Sequence, residues 1–362
     1  MPHHTCTLVA LTALAFASND RLLVDAPAER TRLAHASTFE LRLDAPVTSA
    51  EARAAEDPQA VPVGDFDARA LAGSWRMESA WLDAIERSSA DGVLAFERSR
   101  VALAIDGRSA VPSDEPLAAL RFTRASTDVE FDVAFAAPAE PSPEVSAFAN
   151  GLSAHVTPAH LLPPIDAAVG ASWRAPFGSA DWCASAAPLL ERETLLELLA
   201  EHTRDASHTS TSEATRTALL AAFARDFGVD GLDGTYRGIR RDSASGRDLA
   251  FVEFECDQTV RIGLGRVSDG PASGTSSGTR AFDDESHRPR NGIALTVRVH
   301  GRGELVWDVE GRHLARFELP LALEMSADAL HYVGFDEGFI EHATDVATWT
   351  GALRVCHVVT RE

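Results

Sequence analysis

Ala315-Arg316-Phe317-Glu318-Leu319-Pro320-Leu321-Ala322-Leu323-Glu324-Met325 decides the fold class. Its odd positions are all apolar, while the even ones carry Arg316, Glu318 and Glu324. A period of two is the mark of a strand with one buried face. Pro320 falls among the outward positions and predicts an edge strand or a bulge there, since proline cannot donate to a ladder. The same alternation recurs toward both termini. Val129, Phe131, Val133 and Phe135 oppose Asp128, Glu130 and Asp132. Phe39, Leu41 and Leu43 form a shorter run, as do Ile293, Leu295, Val297 and Val299, then Leu305, Trp307 and Val309. Leu353, Val355, His357 and Val359 close the chain. Nothing resembling regular βαβ alternation separates these runs, so antiparallel sheets are expected.

The middle of the chain reads differently. Pro188 to Thr203 places Leu189, Leu196 and Leu199 on one helical stripe, with Glu191 and Glu193 near its start. A second helix is predicted from Ser212, an N-cap, through Leu219, Leu220, Phe223 and Phe227 to Gly228. The expected fold is therefore α+β, mainly β: two curved antiparallel sheets with an intervening helical hairpin. The expected division is a signal peptide over 1–17, a β-rich half over 36–175, the hairpin over 186–228 and a second β-rich half over 235–362. Pro138 to Pro143 and the Gly/Ser-rich stretch 268–292 read as linkers.

No lysine occurs in the 362 residues, so all 33 basic side chains are arginine. Codon bias in a GC-rich genome is the favoured cause. The chemical consequence holds whatever the cause: P-loop phosphate binding, Schiff-base catalysis and protein-kinase chemistry each need an amine that is missing. A net charge of -21 argues against nucleic acid and anionic membrane surfaces as partners. The apolar run Leu8 to Ala17, closed by Ala15-Phe16-Ala17, reads as a cleaved export signal and is too short to leave a transmembrane segment in the mature chain. A periplasmic or extracellular location follows as the expectation. Cys183, Cys256 and Cys356 are widely spaced, without a CxxC, and read as buried small hydrophobes ahead of a disulfide.

Several short matches were weighed for chemistry. Gly274-Thr275-Ser276-Ser277-Gly278 is a literal G-x-S-x-G, and chain order permits a triad of Ser276, Asp336 and His342. A nucleophile elbow needs a strand feeding a helix, and this pentapeptide sits in a low-complexity stretch, so a serine hydrolase is the alternative reading and a linker the favoured one. Asp226-Phe227-Gly228 reads as a helix C-cap, and Asp230 to Gly234 as a solvated turn. The histidine pairs His155/His160 and His202/His208 lack helical ligand spacing, whereas His300, His313 and His357 could meet only if strands brought them together. Glu253 and Glu255, like Asp128, Glu130 and Asp132, read as outward acidic faces rather than a glycosidase pair. No motif implies a cofactor.

Leu161-Leu162-Pro163-Pro164 followed by Val169-Gly170-Ala171-Ser172-Trp173 resembles a signature in exported β-rich proteins of GC-rich bacteria, a domain of unknown function. Gly301-Arg302-Gly303-Glu304-Leu305-Val306-Trp307-Asp308 is similar to a strand motif of the same proteins. The resemblance implies an exported β-rich fold and no activity. In physical terms Gly170 allows a tight bend and Trp173 can plug an open sheet edge. The function expected is that of a non-enzymatic envelope protein, structural or binding a hydrophobic ligand or an envelope protein partner through one sheet face. Phe131, Phe135, Phe317 and Leu321 would line either a packed core, the favoured reading, or a groove.

Overall fold

The computed structural model describes residues 27–48, 68–89, 92–111, 119–125, 131–136, 141–154, 161–164, 167–198, 227–263, 291–335 and 338–362. In chain order the strands are β1 (Arg32–Leu43), β2 (Val47–Thr48), β3 (Gly73–Ser89), β4 (Gly92–Ile105), β5 (Arg108–Ser109), β6 (Leu120–Thr123) and β7 (Asp132–Phe135). After helix α1 (Pro143–Asn150) come β8 (Ser172–Phe177), helix α2 (Ser179–Ala186), β9 (Val229–Arg241) and β10 (Asp248–Gly263). The chain closes with β11 (Asn291–Asp308), β12 (His313–Phe335) and β13 (Gly338–Arg361).

The protein is mainly β, and its described strands form one large antiparallel sheet ordered β7-β6-β4-β3-β1-β13-β12-β11-β10-β9-β8. Two sheets were expected. One results because β1 pairs on one side with β3 and on the other with β13, from Leu33↔Arg361 to Leu43↔Gly351. This register joins the two β-rich halves edge to edge. Strands far apart in sequence carry no signal of mutual pairing, which is why alternation alone could not show it.

One sheet face is apolar and covered. Leu41, Leu103, Phe122, Leu232, Phe254, Leu305, Phe317, Leu321 and Val355 are all buried on it. Phe317 and Leu321 are thus core; Phe131 and Phe135 are half-buried and pack against that core. β7 and β8 lie at opposite edges of the sheet, and described residues between them in the chain, 141–154 and 161–164, lie against the inner face. Phe148, Ala149, Leu152, Leu161 and Leu162 along this crossing are buried in the same core. α1 begins where Ser142 Oγ accepts the Val145 N–H at 3.2 Å, with Pro143 at its first position. α2 rests on β1, β8 and β13 and sets Trp182 edge-on against Phe39, Phe177 and Phe227. Of the hairpin expected over 186–228, residues 192–198 are helical and 199–226 lie outside the described residues. The crossing and the segment after α2 are tied together: Ser153 N–H donates to Leu189 O, and Glu191 N–H to Gly151 O.

Two local readings are corrected and a third agrees. Asp230 to Gly234 is strand β9, not a turn; Asp233 bonds Arg174 of β8 at 2.8 Å, and Gly234 leaves room for the Trp173 ring, which also meets Phe254 edge-on. Trp173 therefore does pack at an edge strand. Pro320 lies in β12, a central strand, with no bulge beside it. The neighbouring strand makes this tolerable. On either side of the position opposite Pro320, β11 presents Gly301 and Gly303, where a Cβ would overlap the Pro320 and Glu318 carbonyl oxygens respectively. The two glycines let the backbones approach where the proline contributes no donor. Thirdly, all three described cysteines are free, with Cys183 and Cys256 buried and their thiols pushed up to about 11 by desolvation. That agrees with their reading as small hydrophobes. Among the described residues no helix is long and apolar enough to cross a membrane.

Gly301→Val and Gly303→Val should each destabilise the sheet by about 1–3 kcal/mol through overpacking. Urea unfolding followed by tryptophan fluorescence measures this, and the exposed neighbour Arg302→Val serves as the small-effect control.

Candidate functional site

The inner face is largely apolar, and a polar island lies near its centre, where β4, β3, β1 and β13 run side by side. Alternation would turn Arg98 outward. The register of β3 with β4 slips between Ala80↔Ala102 and Leu82↔Ser99, so that Arg100 and Val101 face the single residue Trp81. Arg100 takes a left-handed conformation, φ 54, in this bulge. Beyond it the buried positions of β4 change phase, from Val101, Leu103 and Ile105 to Phe96 and Arg98. The bulge thereby delivers a guanidinium into the core, where Arg98 is 0% exposed.

Every strong interaction available to that cation is made. Arg98 Nε donates to Asp83 Oδ1 at 2.8 Å and its second terminal nitrogen to Asp83 Oδ2 at 2.9 Å. The first terminal nitrogen donates to the Ser153 carbonyl at 2.6 Å, which ties the crossing segment to the sheet. The guanidinium carbon lies 5.4 Å from the Trp81 ring centre, 5.2 Å from Phe96 and 5.0 Å from Phe122. An aromatic box of this kind favours the cation electrostatically. Trp81 Nε1 gives Asp83 a further hydrogen bond at 3.1 Å.

Two imidazoles complete the island. His35 stacks on Trp81 at 4.7 Å and 7°, and its Nδ1 lies 3.3 Å from His357 Nε2. Its Nε2 is 3.5 Å from Asp83 Oδ2. A carboxylate only accepts, so the favoured arrangement has His35 Nε2–H facing Asp83 and His357 Nε2–H donating to His35 Nδ1. Burial holds both imidazoles well below their ordinary pKa; Arg98 lowers His35 further, and His35 lowers His357. Both are neutral at pH 7, so the His35–Asp83 contact is not an ion pair there. Beside His357 lie Ser37 and, one strand further, Ser79, both buried.

A smaller cluster sits at the β11–β12 turn. Asp308 accepts from Arg247 at 2.6 Å and from the Gly311 N–H at 2.6 Å, while His313 Nδ1 donates to the Leu314 carbonyl at 2.7 Å. Burial lowers the His313 pKa as well. Of the three histidines expected to meet only through strands, His313 and His357 share the buried face, and His300 belongs to the opposite set of positions on β11. His35 was not singled out from sequence, and it is the residue that touches His357. Among the described residues no group of three or more His, Cys, Asp or Glu is arranged to hold a metal.

Ser276 and Asp336 lie outside the described residues, as do Asp226, His155, His160, His202 and His208; His342 is placed only by its backbone, opposite His331. Glu253 and Glu255 project outward and pair with Arg237 and Arg302.

The outer face is a lattice of such pairs, including Arg76–Glu78, Arg316–Glu304 and Arg354–Glu318. Among the described residues it is interrupted by a concave place. A groove of about 420 Å³ crosses β10 to β13. One register row along it runs Thr296, Ser326, Thr348 and Val47; the next runs Thr259, Arg298, Glu324 and Thr350. Thr259, Thr296, Ser326 and Thr348 carry no side-chain hydrogen bond to another described residue, and Val47 is 74% exposed. Arg298 is neutralised by Asp257 at 3.2 Å and Glu324 at 3.6 Å.

No protein-family model matches the chain, and no curated protein matches it.

Arg98→Met should destabilise the fold by about 3–5 kcal/mol, because it strands the Asp83 carboxylate in the core. The double variant Arg98→Met/Asp83→Leu should be markedly less damaged than the sum of its singles. Equilibrium urea unfolding of the four-member cycle checks this.

Proposed function

We propose that the chain is an exported cell-envelope protein with no enzymatic activity of its own, which binds an uncharged, hydroxyl-rich ligand such as a neutral glycan strand on the outer face of β10–β13. The observation that carries this reading is the groove. Hydroxyls on neighbouring strands, about 4.8 Å apart, can both donate and accept, and here they bond no other described residue. The single cation in the floor is paired with two carboxylates, which leaves no excess positive charge for an anionic ligand. The protein's net charge of -21 further disfavours an anionic polymer.

Export rests on the apolar run Leu8 to Ala17 and on the resemblance to exported β-rich proteins. A hydrophobic ligand on the inner face is less well supported, because Phe317 and Leu321 are packed beneath the covering segments. The non-enzymatic reading is supported by the burial of the island. Its Asp, Arg and His side chains have the types that catalysis uses, yet none reaches solvent.

Native mass spectrometry of protein isolated from the envelope fraction comes first, followed by titration with neutral and anionic oligosaccharides. Neutral oligosaccharides should bind, and Ser326→Trp, which fills the groove from an outward position, should weaken them at least tenfold while leaving the unfolding midpoint unchanged. A bound apolar mass, or a tightly associated protein in place of a glycan, would overturn the ligand assignment; an uncleaved cytoplasmic chain would overturn the location.

A further inference from the structure

The polar island joins two parts of the molecule that the backbone does not join. Arg98 is gripped by Asp83 on the sheet and itself grips the Ser153 carbonyl on the segment that crosses the inner face. Next to that grip stand two contacting imidazoles, one of them 3.5 Å from the same carboxylate. We propose that the His35–His357 pair is an acid-operated latch, in which proton uptake by the pair loosens the Arg98 bridge and lifts residues 143–153 from the sheet, uncovering the apolar inner face.

The argument runs through the charges around the pair. With both imidazoles neutral, Asp83 balances Arg98 alone. A proton taken from solvent by either ring adds a second cation to a site with one carboxylate. His35 then faces Asp83 on β3, Arg98 on β4, His357 on β13 and His313 on β12. His357 faces His35 and Asp83. His313 is set among Asp308, Arg247 and Arg361, and Asp308 is already engaged by Arg247. α2, which rests on β1 and β13, adds no compensating anion: Asp181 is bound to the Gly178 N–H, and the Cys183 thiol is neutral.

The new charge can be relieved in two ways. His35 can compete with Arg98 for Asp83, or water can enter; each weakens the hold on Ser153. Release stays local because Leu152 and Leu190 form only an isolated bridge, whereas β10 to β12 are held by continuous ladders.

The direction with pH is fixed by the shifts. Both histidines bind protons more weakly in the folded protein than at their ordinary value of 6.5. Their contribution is therefore fully present above pH 6.5 and is lost progressively as pH falls below it.

Hydrogen–deuterium exchange of the mature protein at pH 7.5 and 5.0, corrected for intrinsic rates, tests the proposal. Peptides covering 143–153 should lose at least tenfold protection at the lower pH while those of β10 to β12 keep theirs. In His357→Phe, which keeps an aromatic ring in the cluster, that loss should require a lower pH. Unchanged protection of 143–153, or a fall in step with β10 to β12, overturns the latch. Should His357→Phe fail to fold, C2–H exchange of histidine in the wild-type protein decides instead. Titration of His35 and His357 below pH 6.5, together with the loss at 143–153, supports the latch, and titration at the ordinary value overturns it.

Discussion

A guanidinium with no exposed surface has to be answered where it stands, and the centre of this protein is organised around answering Arg98. Asp83 supplies both carboxylate oxygens, Ser153 a carbonyl, and Trp81, Phe96 and Phe122 their ring faces. A buried pair of this sort adds little net stability over an apolar replacement, since desolvation offsets most of the attraction. What it imposes is position. An apolar side chain at 98 would be satisfied against any part of the inner face; an ionised one is satisfied only when β4 carries its bulge, β3 lies in register beside it and the crossing segment delivers Ser153 to one point.

That constraint acts where the topology most needs one. The sheet is assembled from strands at both ends of the chain, with β1 inserted between β3 and β13. A segment connecting opposite edges must then find its seat across the inner face, guided mainly by hydrophobic contacts that are not directional. Trp182 against Phe39 and Phe227 supplies area. The Arg98–Ser153 bond supplies a fixed point, and the bonds between 151–153 and 189–191 extend it to the segment that follows α2.

The legibility of the sequence follows from the same physics. β11, β12 and β13 and the Phe39-Leu41-Leu43 end of β1 were readable because their inner positions are almost uninterrupted apolar residues, as Phe317, Leu319, Leu321 and Leu323 illustrate. β3 and β4 were not, because their inner positions include Ser79, Asp83 and Arg98, and because the bulge at Arg100 breaks the period midway. The island was hidden for that reason: Arg98, the residue it is built around, looks outward when a regular strand is assumed. His357 was visible as an anomaly on an apolar face. Its partner His35 was not, since Ser37 separates it from the Phe39-Leu41-Leu43 run that marked β1. The central placement of Pro320 likewise needed knowledge of its neighbour, because only the glycines of β11 explain it.

The two faces of the sheet solve opposite problems with the same residue. Without lysine, every cation must be arginine, whose planar fork suits two-point bonding to carboxylates. On the outer face this produces exposed cross-strand pairs, each worth little alone, such as Arg298 with Asp257 and Glu324. On the inner face it produces one pair that cannot be exchanged for water. A surface already saturated by arginine–carboxylate pairs presents little that is free to bind, so the rows of unpaired hydroxyls at Thr259, Thr296, Ser326 and Thr348 differ from their surroundings in kind.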